Sequence, residues 1–196
     1  MATLFITVSA IVLAGRAGFI DDNAIRYVQG WESPDLTSVM ESFSWFGSTL
    51  AVVVITLASV ILLASMLGHR KELLLLVTVV VGSAALNRLL KLIFQRERPN
   101  IYRLVEETGY SFPSGHSTAA FALYGVLIYL LWRHVTIGWC RLLMVLIGVV
   151  MTLGIGISRI YLGVHYPSDV IGGYLVSAAL LGIAIEVFEQ RAKERA

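Results

Sequence analysis

This sequence predicts an all-α, polytopic membrane fold, and three observations carry that expectation. Hydrophobic residues make up 57% of the 196 and charged residues only 14%, well beyond the apolar share of a soluble domain. Apolar stretches near the roughly 20 residues that cross a bilayer's hydrocarbon recur from end to end. The polar clusters between them are too short for a separate soluble unit, so residues 1–196 read as a single membrane-embedded domain. The net charge of +2 is too small and dispersed to indicate a nucleic-acid partner, and the basic residues sit mostly beside the apolar spans. The single cysteine, Cys140, excludes an internal disulfide or a multi-cysteine metal site and reads as a small buried or interfacial residue.

Six spans are expected, at about 2–17, 48–67, 73–94, 116–132, 142–160 and 168–187. The first is short, as a trimmed N-terminus would be, and "MATLFITVSAIVLAG" lacks the positive start and following soluble body of a secretory signal. The next stretch, "DDNAIRYVQGWESPDLTSVMESFSWFG", is too polar to cross. Within it Ser33 can cap a helix that has Pro34 at its first position, which sets Leu36, Met40, Phe43 and Phe46 on one face. That predicts an interfacial helix between the first two spans, anchored by Trp31 and Trp45; an ordinary loop is the alternative.

Six spans place both termini on one side with loops 68–72 and 133–141. That side carries Arg70, Lys71, Arg133, Arg141, Arg191, Lys193 and Arg195, so the positive-inside rule makes it cytoplasmic. His69 and His134 fall in its loops and are expected to be solvated. The outer side receives 18–47, 95–115 and 161–167, and with them most of the acids.

Three patches on that outer side carry chemistry. In "KLIFQRERP" the spacing of Arg88, Lys91, Gln95 and Arg98 puts them on one helical face, and Pro99 should stop the helix at Arg98. Arg96 and Arg103 read as snorkelling to the headgroups, whereas Lys91 lies too deep for that. Arg88 either lines an anion pocket or pairs with an acid such as Asp21 or Asp22. In "PSGH", Ser114 is a natural N-cap for the fourth span and Gly115 permits close approach to a helix end that favours phosphate; alone, the motif is only a turn entering a helix. In "SRIYLGVHYPSD", Pro167 and Asp169 open the sixth span, and Asp169 is four residues after His165, near enough to fix its tautomer. Arg159 adds a planar fork for phosphate oxygens.

Lys91 with Arg98-Pro99, Pro113-Ser114-Gly115-His116, and Ser158-Arg159 followed by His165 and Asp169 together resemble the three-part signature of the type 2 phosphatidic acid phosphatase superfamily, matched at every signature position. Its membrane members are metal-independent lipid phosphate phosphatases, so the resemblance implies a membrane phosphatase domain with no metal and no cofactor. It implies His165 as the nucleophile forming a phosphohistidine, Asp169 as its orienting partner, and His116 as the acid for the leaving alkoxide and then the base for water. Lys91, Arg98, Arg159, Ser114 and the Gly115 amide would hold the phosphoryl oxygens. Compact six-span members resemble phosphatidylglycerophosphate phosphatases and undecaprenyl pyrophosphate phosphatases, and many accept phosphatidate; phosphatidylglycerophosphate is the favoured substrate. A monomer in the cell membrane, with the active site at the outer face, completes the expectation.

The glycines of "LGIGIS" and Gly172-Gly173 read as sites of close helix packing. Tyr102, Tyr110 and Phe112 are candidates to touch a headgroup. A lipid or phosphate transporter could use the same cations without hydrolysis, but no repeat of the transporter kind is evident. A silent lipid-binding scaffold would not need both histidines.

Overall fold

In a computed structural model, which describes residues 1–67, 70–100 and 102–194, the elements are eight helices with no strand among the described residues. These are α1 (Ala2–Leu13), α2 (Gly18–Gln29), α3 (Pro34–Phe46), α4 (Thr49–Leu67), α5 (Arg70–Phe94), α6 (Gly115–Trp132), α7 (Gly138–Tyr161) and α8 (Pro167–Lys193). His69 and Arg195, assigned above to cytoplasmic segments, lie outside the described residues.

Helices α5 to α8 are each long and apolar enough to cross a membrane. The pairs α1–α2 and α3–α4 qualify only as bent units, broken by 94° and 55°, which gives four to six crossings. The first apolar segment is therefore not a simple span. Its helix has 12 residues, about 18 Å at 1.5 Å per residue, well short of a roughly 30 Å hydrocarbon core. Helix α2 was not expected: it buries Asp21 together with Ile25, one turn apart, and the partners of that acid come from residues far away in sequence.

Helix α3 begins where its cap signal places it. Ser33 Oγ accepts from the Leu36 amide at 3.3 Å, with Pro34 in the first turn. Leu36 and Met40 pack against Tyr161, Leu162 and Val164, and Phe43 fits against Gly154. Phe46 leaves the expected apolar face: it is 38% exposed and meets Trp45 edge-on.

Helix α6 is the hub, packed against α5, α7 and α8. Leu123, Val126 and Leu130 interlock with Leu76 and Val79 of α5 and Val52 of α4. Residues such as Leu57, Ile61, Leu146, Val150 and Ile183 stay exposed on the outside, as helices facing hydrocarbon require. The glycine pair in α8 serves close packing, as expected: a Cβ on Gly172 would meet the Phe112 ring at 2.6 Å, and one on Gly173 would meet the Ser114 carbonyl at 2.8 Å. This approach sets the first turn of α8 against the start of α6, where the Ser114 amide donates to the Asp169 carbonyl at 3.0 Å.

Candidate active site

All three patches converge at one end of the bundle. Helix α5 stops at Phe94, because Gln95 turns left-handed with φ 45°. Arg88 and Lys91 therefore share a helical face, but Gln95 and Arg98 do not continue it. Arg98 lies in irregular chain beyond the helix and crosses to the α7–α8 connection. There its guanidinium donates to the carbonyls of Val164, Gly109 and Thr108, each at 3.0 Å.

His165 is 1% exposed in that connection. Its Nδ1 lies 3.4 Å from Asp169 Oδ2 and 3.3 Å from Ser111 Oγ, while Arg98 Nη1 reaches Nε2 at 3.3 Å. A guanidinium can only donate, so Nε2 is the unprotonated nitrogen and Nδ1–H faces the carboxylate. Burial pushes the imidazole down to about 4 against the upward pull of Asp169, which keeps it neutral near pH 7.

Asp169, third residue of α8, accepts from the Tyr166 amide at 2.9 Å, from the Ser111 hydroxyl, and from Arg96 Nη1 at 2.6 Å. Arg96 is thus not a headgroup snorkel. It spans two buried carboxylates, reaching Asp21 at 2.8 Å with its other terminal nitrogen, and stacks over Tyr166 at 4.1 Å. Burial opposes its charge, yet Asp169 and Asp21 hold the guanidinium above its ordinary value. Asp21 also accepts from the Ser168 amide and hydroxyl, at 3.0 and 2.6 Å, so it pairs with Arg96 and not with Arg88. Arg103 donates to the Pro99 carbonyl at 2.8 Å, within its own loop.

Arg159, in the last turn of α7, donates to Ser44 Oγ and to Glu107. Its Nε is buried with no partner among the described residues. Glu107 reaches Arg98 as well, at 3.4 Å. It therefore bridges two of the cations expected to hold phosphate. No spacing signal in the sequence points to it, nor to Ser111, Ser44 or Asp21.

A cavity of about 800 Å³ joins these groups. Lys91, Arg98, Gly115, His116 and His165 form its polar wall with Glu107, and Val52, Val53, Val80 and Val81 form its apolar end. Asp169 and Arg159 stand behind the wall. Ser114 does too: its hydroxyl caps α6, accepting from the Ser117 amide at 3.4 Å, and is fully buried. Lys91 Nζ donates to the Tyr110 carbonyl. His116 packs beneath Gly47, where a Cβ would come within 3.1 Å of the imidazole. Phe112 faces no headgroup; it is buried against Phe94 and Phe5, whereas Tyr102 and Tyr110 are exposed. At the opposite end of the bundle His134 is not simply solvated but meets Glu72 at 3.0 Å.

Buried cations, a neutral oriented imidazole and a second histidine in one cavity suit capture of an anion and its transfer to nitrogen. The PAP2 superfamily model matches residues 72–193, more than half of the chain and a range that includes all eleven signature residues named above. The chain belongs to the PAP2 superfamily. Phosphatidylglycerophosphatase B of Bacillus subtilis is 35% identical over 164 residues, covering 82% of this PAP2 chain and 78% of that protein. Undecaprenyl-diphosphatase BcrC of Bacillus subtilis is 32% identical over 153 residues, covering 74% and 72%. The crystal structure of a transmembrane PAP2 type phosphatidylglycerolphosphate phosphatase from Bacillus subtilis superposes with a TM-score of 0.86 at 29% identity, covering 96% of this chain and 94% of that one. The enzyme class that the sequence implied, a lipid phosphate phosphatase, holds for this PAP2 protein. Asp21, Ser44 and Gly47 lie outside the matched residues.

Proposed function

We propose that this PAP2 enzyme hydrolyses the phosphomonoester of phosphatidylglycerophosphate through a phosphohistidine on His165. The observation that carries the reading is the polarity of His165, with Nδ1 on Asp169 and Nε2 turned to Arg98 at the wall of a cavity that also contains His116. The Nε2 lone pair attacks phosphorus, and the bond from phosphorus to the lipid oxygen breaks as His116 gives that oxygen a proton. His116 then takes a proton from water, whose oxygen attacks phosphorus and releases His165 with inorganic phosphate. Lys91, Arg98, Arg159 and the Gly115 amide hold the phosphoryl oxygens; Ser114 contributes by capping α6 so that the helix's free amides face the cavity. Glu107 yields Arg98 and Arg159 to the incoming phosphate.

The names of the relatives support the substrate. The name phosphatidylglycerophosphatase B points to phosphatidylglycerophosphate, the name undecaprenyl-diphosphatase keeps undecaprenyl diphosphate as the second reading, and phosphatidate is a further alternative. A transporter of lipid or phosphate would have no use for the oriented His165.

Residues 1–196 act in this reading as one membrane-embedded domain and a monomer, crossing six times when each bent pair counts as one span beside α5 to α8. Both termini are cytoplasmic and the site opens at the outer face of the cell membrane. A reporter fused after Ala196 should be active only inside the cell; an outward C-terminus inverts the assignment. For the chemistry, the three lipids in matched micelles with EDTA present are the direct test. Turnover should persist, be inhibited by vanadate, and be most efficient for phosphatidylglycerophosphate. Loss in EDTA with recovery in magnesium would sink the mechanism.

A further inference from the structure

Arg88 is the cation that the site described so far leaves unused. Arg98 and Arg159 face Glu107, Arg96 is held between Asp21 and Asp169, and Lys91 donates to the Tyr110 carbonyl. Arg88 lines the same cavity and makes no hydrogen bond or ion pair among the described residues. It lies within the membrane-crossing length of α5, where a guanidinium without a counter-charge is costly.

Position along the cavity says what the counter-charge is. Arg88 stands three residues before Lys91 on the same face of α5, about 4.5 Å closer to the apolar end of the cavity. Val80 and Val81 follow on the same helix, about 10 to 12 Å beyond Arg88, at the apolar end of the cavity. Along α5 towards that apolar end the wall therefore reads Lys91, Arg88, Ala84, then the valines. A lipid that enters with its terminal phosphate at His165 presents its parts in that order: phosphate, next polar group, glycerol or isoprenoid, hydrocarbon.

We infer that Arg88 forms a second anion subsite, which takes the inner phosphate of a lipid carrying two phosphate groups. The inference rests on the proposed site for the terminal phosphate. The inner group is a phosphodiester in phosphatidylglycerophosphate and the retained phosphate in a polyprenyl diphosphate; phosphatidate has none. Arg88 is thereby a specificity-determining residue. Simple attraction of lipid headgroups to a stray cation, by contrast, would not distinguish one phosphate from two.

The test compares wild type, Arg88→Gln and Arg88→Lys on phosphatidylglycerophosphate, undecaprenyl diphosphate and phosphatidate, read as the ratio of kcat/KM for each two-phosphate lipid to that for phosphatidate. A charge-assisted contact predicts a fall in the ratio of about tenfold or more in Arg88→Gln and partial retention in Arg88→Lys. The two-phosphate lipid whose ratio falls identifies the source. An unchanged ratio, including an equal loss on all three lipids, overturns the inference. Calorimetric binding of methylenediphosphonate and of inorganic phosphate separates it from the catalytic reading. If no lipid is turned over but Arg88→Gln loses a preference for methylenediphosphonate, the subsite stands and the catalytic reading falls. If wild type and variant bind the two ligands in the same ratio, the subsite is wrong.

Discussion

Arg96 donates to Asp169 at 2.6 Å on the side of the carboxylate away from His165, so the group that orients the imidazole is itself held by a cation that the family signature does not include. Under the proposed mechanism Arg96 is a positioning residue. Truncating it leaves two carboxylates, Asp21 and Asp169, buried without their shared partner, a change that ordinarily costs about 3–5 kcal/mol.

Arg96→Met should lower kcat by on the order of a hundredfold with little change in KM, because the phosphate-binding cations stay in place. Asp21→Asn, which removes only the outer carboxylate, should lower it less. Single-turnover kinetics on folded, detergent-solubilised variants read this split; a rise in KM at constant kcat would assign Arg96 to substrate binding.

The two histidines should separate by leaving group. His165→Ala should abolish both turnover and the acid-labile phosphoryl-enzyme with any substrate. His116→Ala should be milder on an aryl phosphate, which needs little protonation to leave, than on a lipid alkoxide, by on the order of a hundred- to ten-thousand-fold. Its phosphoryl-enzyme should accumulate with the aryl substrate. Phosphoenzyme from His165→Ala but not from His116→Ala would reverse the roles.

Acid should act on His165 in a definite direction. Its folded value, about 4, lies below the ordinary value of 6.5, so between those limits the unfolded chain binds a proton that the folded chain does not. Stability is unaffected above about 6.5 and falls as pH drops towards 4. The unfolding Tm should fall with acid across this window, and His165→Gln should remove part of that pH dependence. Equally, the protonation of His165 should not appear in kcat/KM as a limb near 6.5; a limb there that coincides with titration of the His165 ring followed by NMR in the wild-type protein would contradict the assignment.

Glu107 stands where phosphate oxygens would compete for Arg98 and Arg159. Glu107→Gln should tighten inhibition by inorganic phosphate and vanadate several-fold, because the neutral amide competes less well for the guanidinium groups. Weaker inhibition would make Glu107 a support of those arginines.

Local signals were legible in the sequence because their causes are local. Ser33 and Ser114 cap their helices, Pro167 and Asp169 sit in one first turn, and His165 reaches Asp169 across four residues. Arg96 was misread because a cation beside an apolar span normally serves the headgroups, and nothing nearby in sequence shows that Asp21 will stand against it. Helix α2 escaped for the same reason: its polar face is satisfied by Arg96 and Ser168, far along the chain. Glu107 carries no periodicity, and its partners lie on two other segments. The end of α5 was misplaced by four residues, since Pro99 marks where a helix cannot continue but not where Gln95 first turns away.

Asp21 meets Ser168 across 147 positions, and that distance orders events during synthesis. A nascent chain emerging from the ribosome has α2 and the cation-bearing loop first; the proposed nucleophile His165 and the carboxylate that would aim it follow only with α8. Under the proposed mechanism, until α8 docks against α2 the growing polypeptide has no complete phosphatase site to expose to the lipids around the translocation machinery.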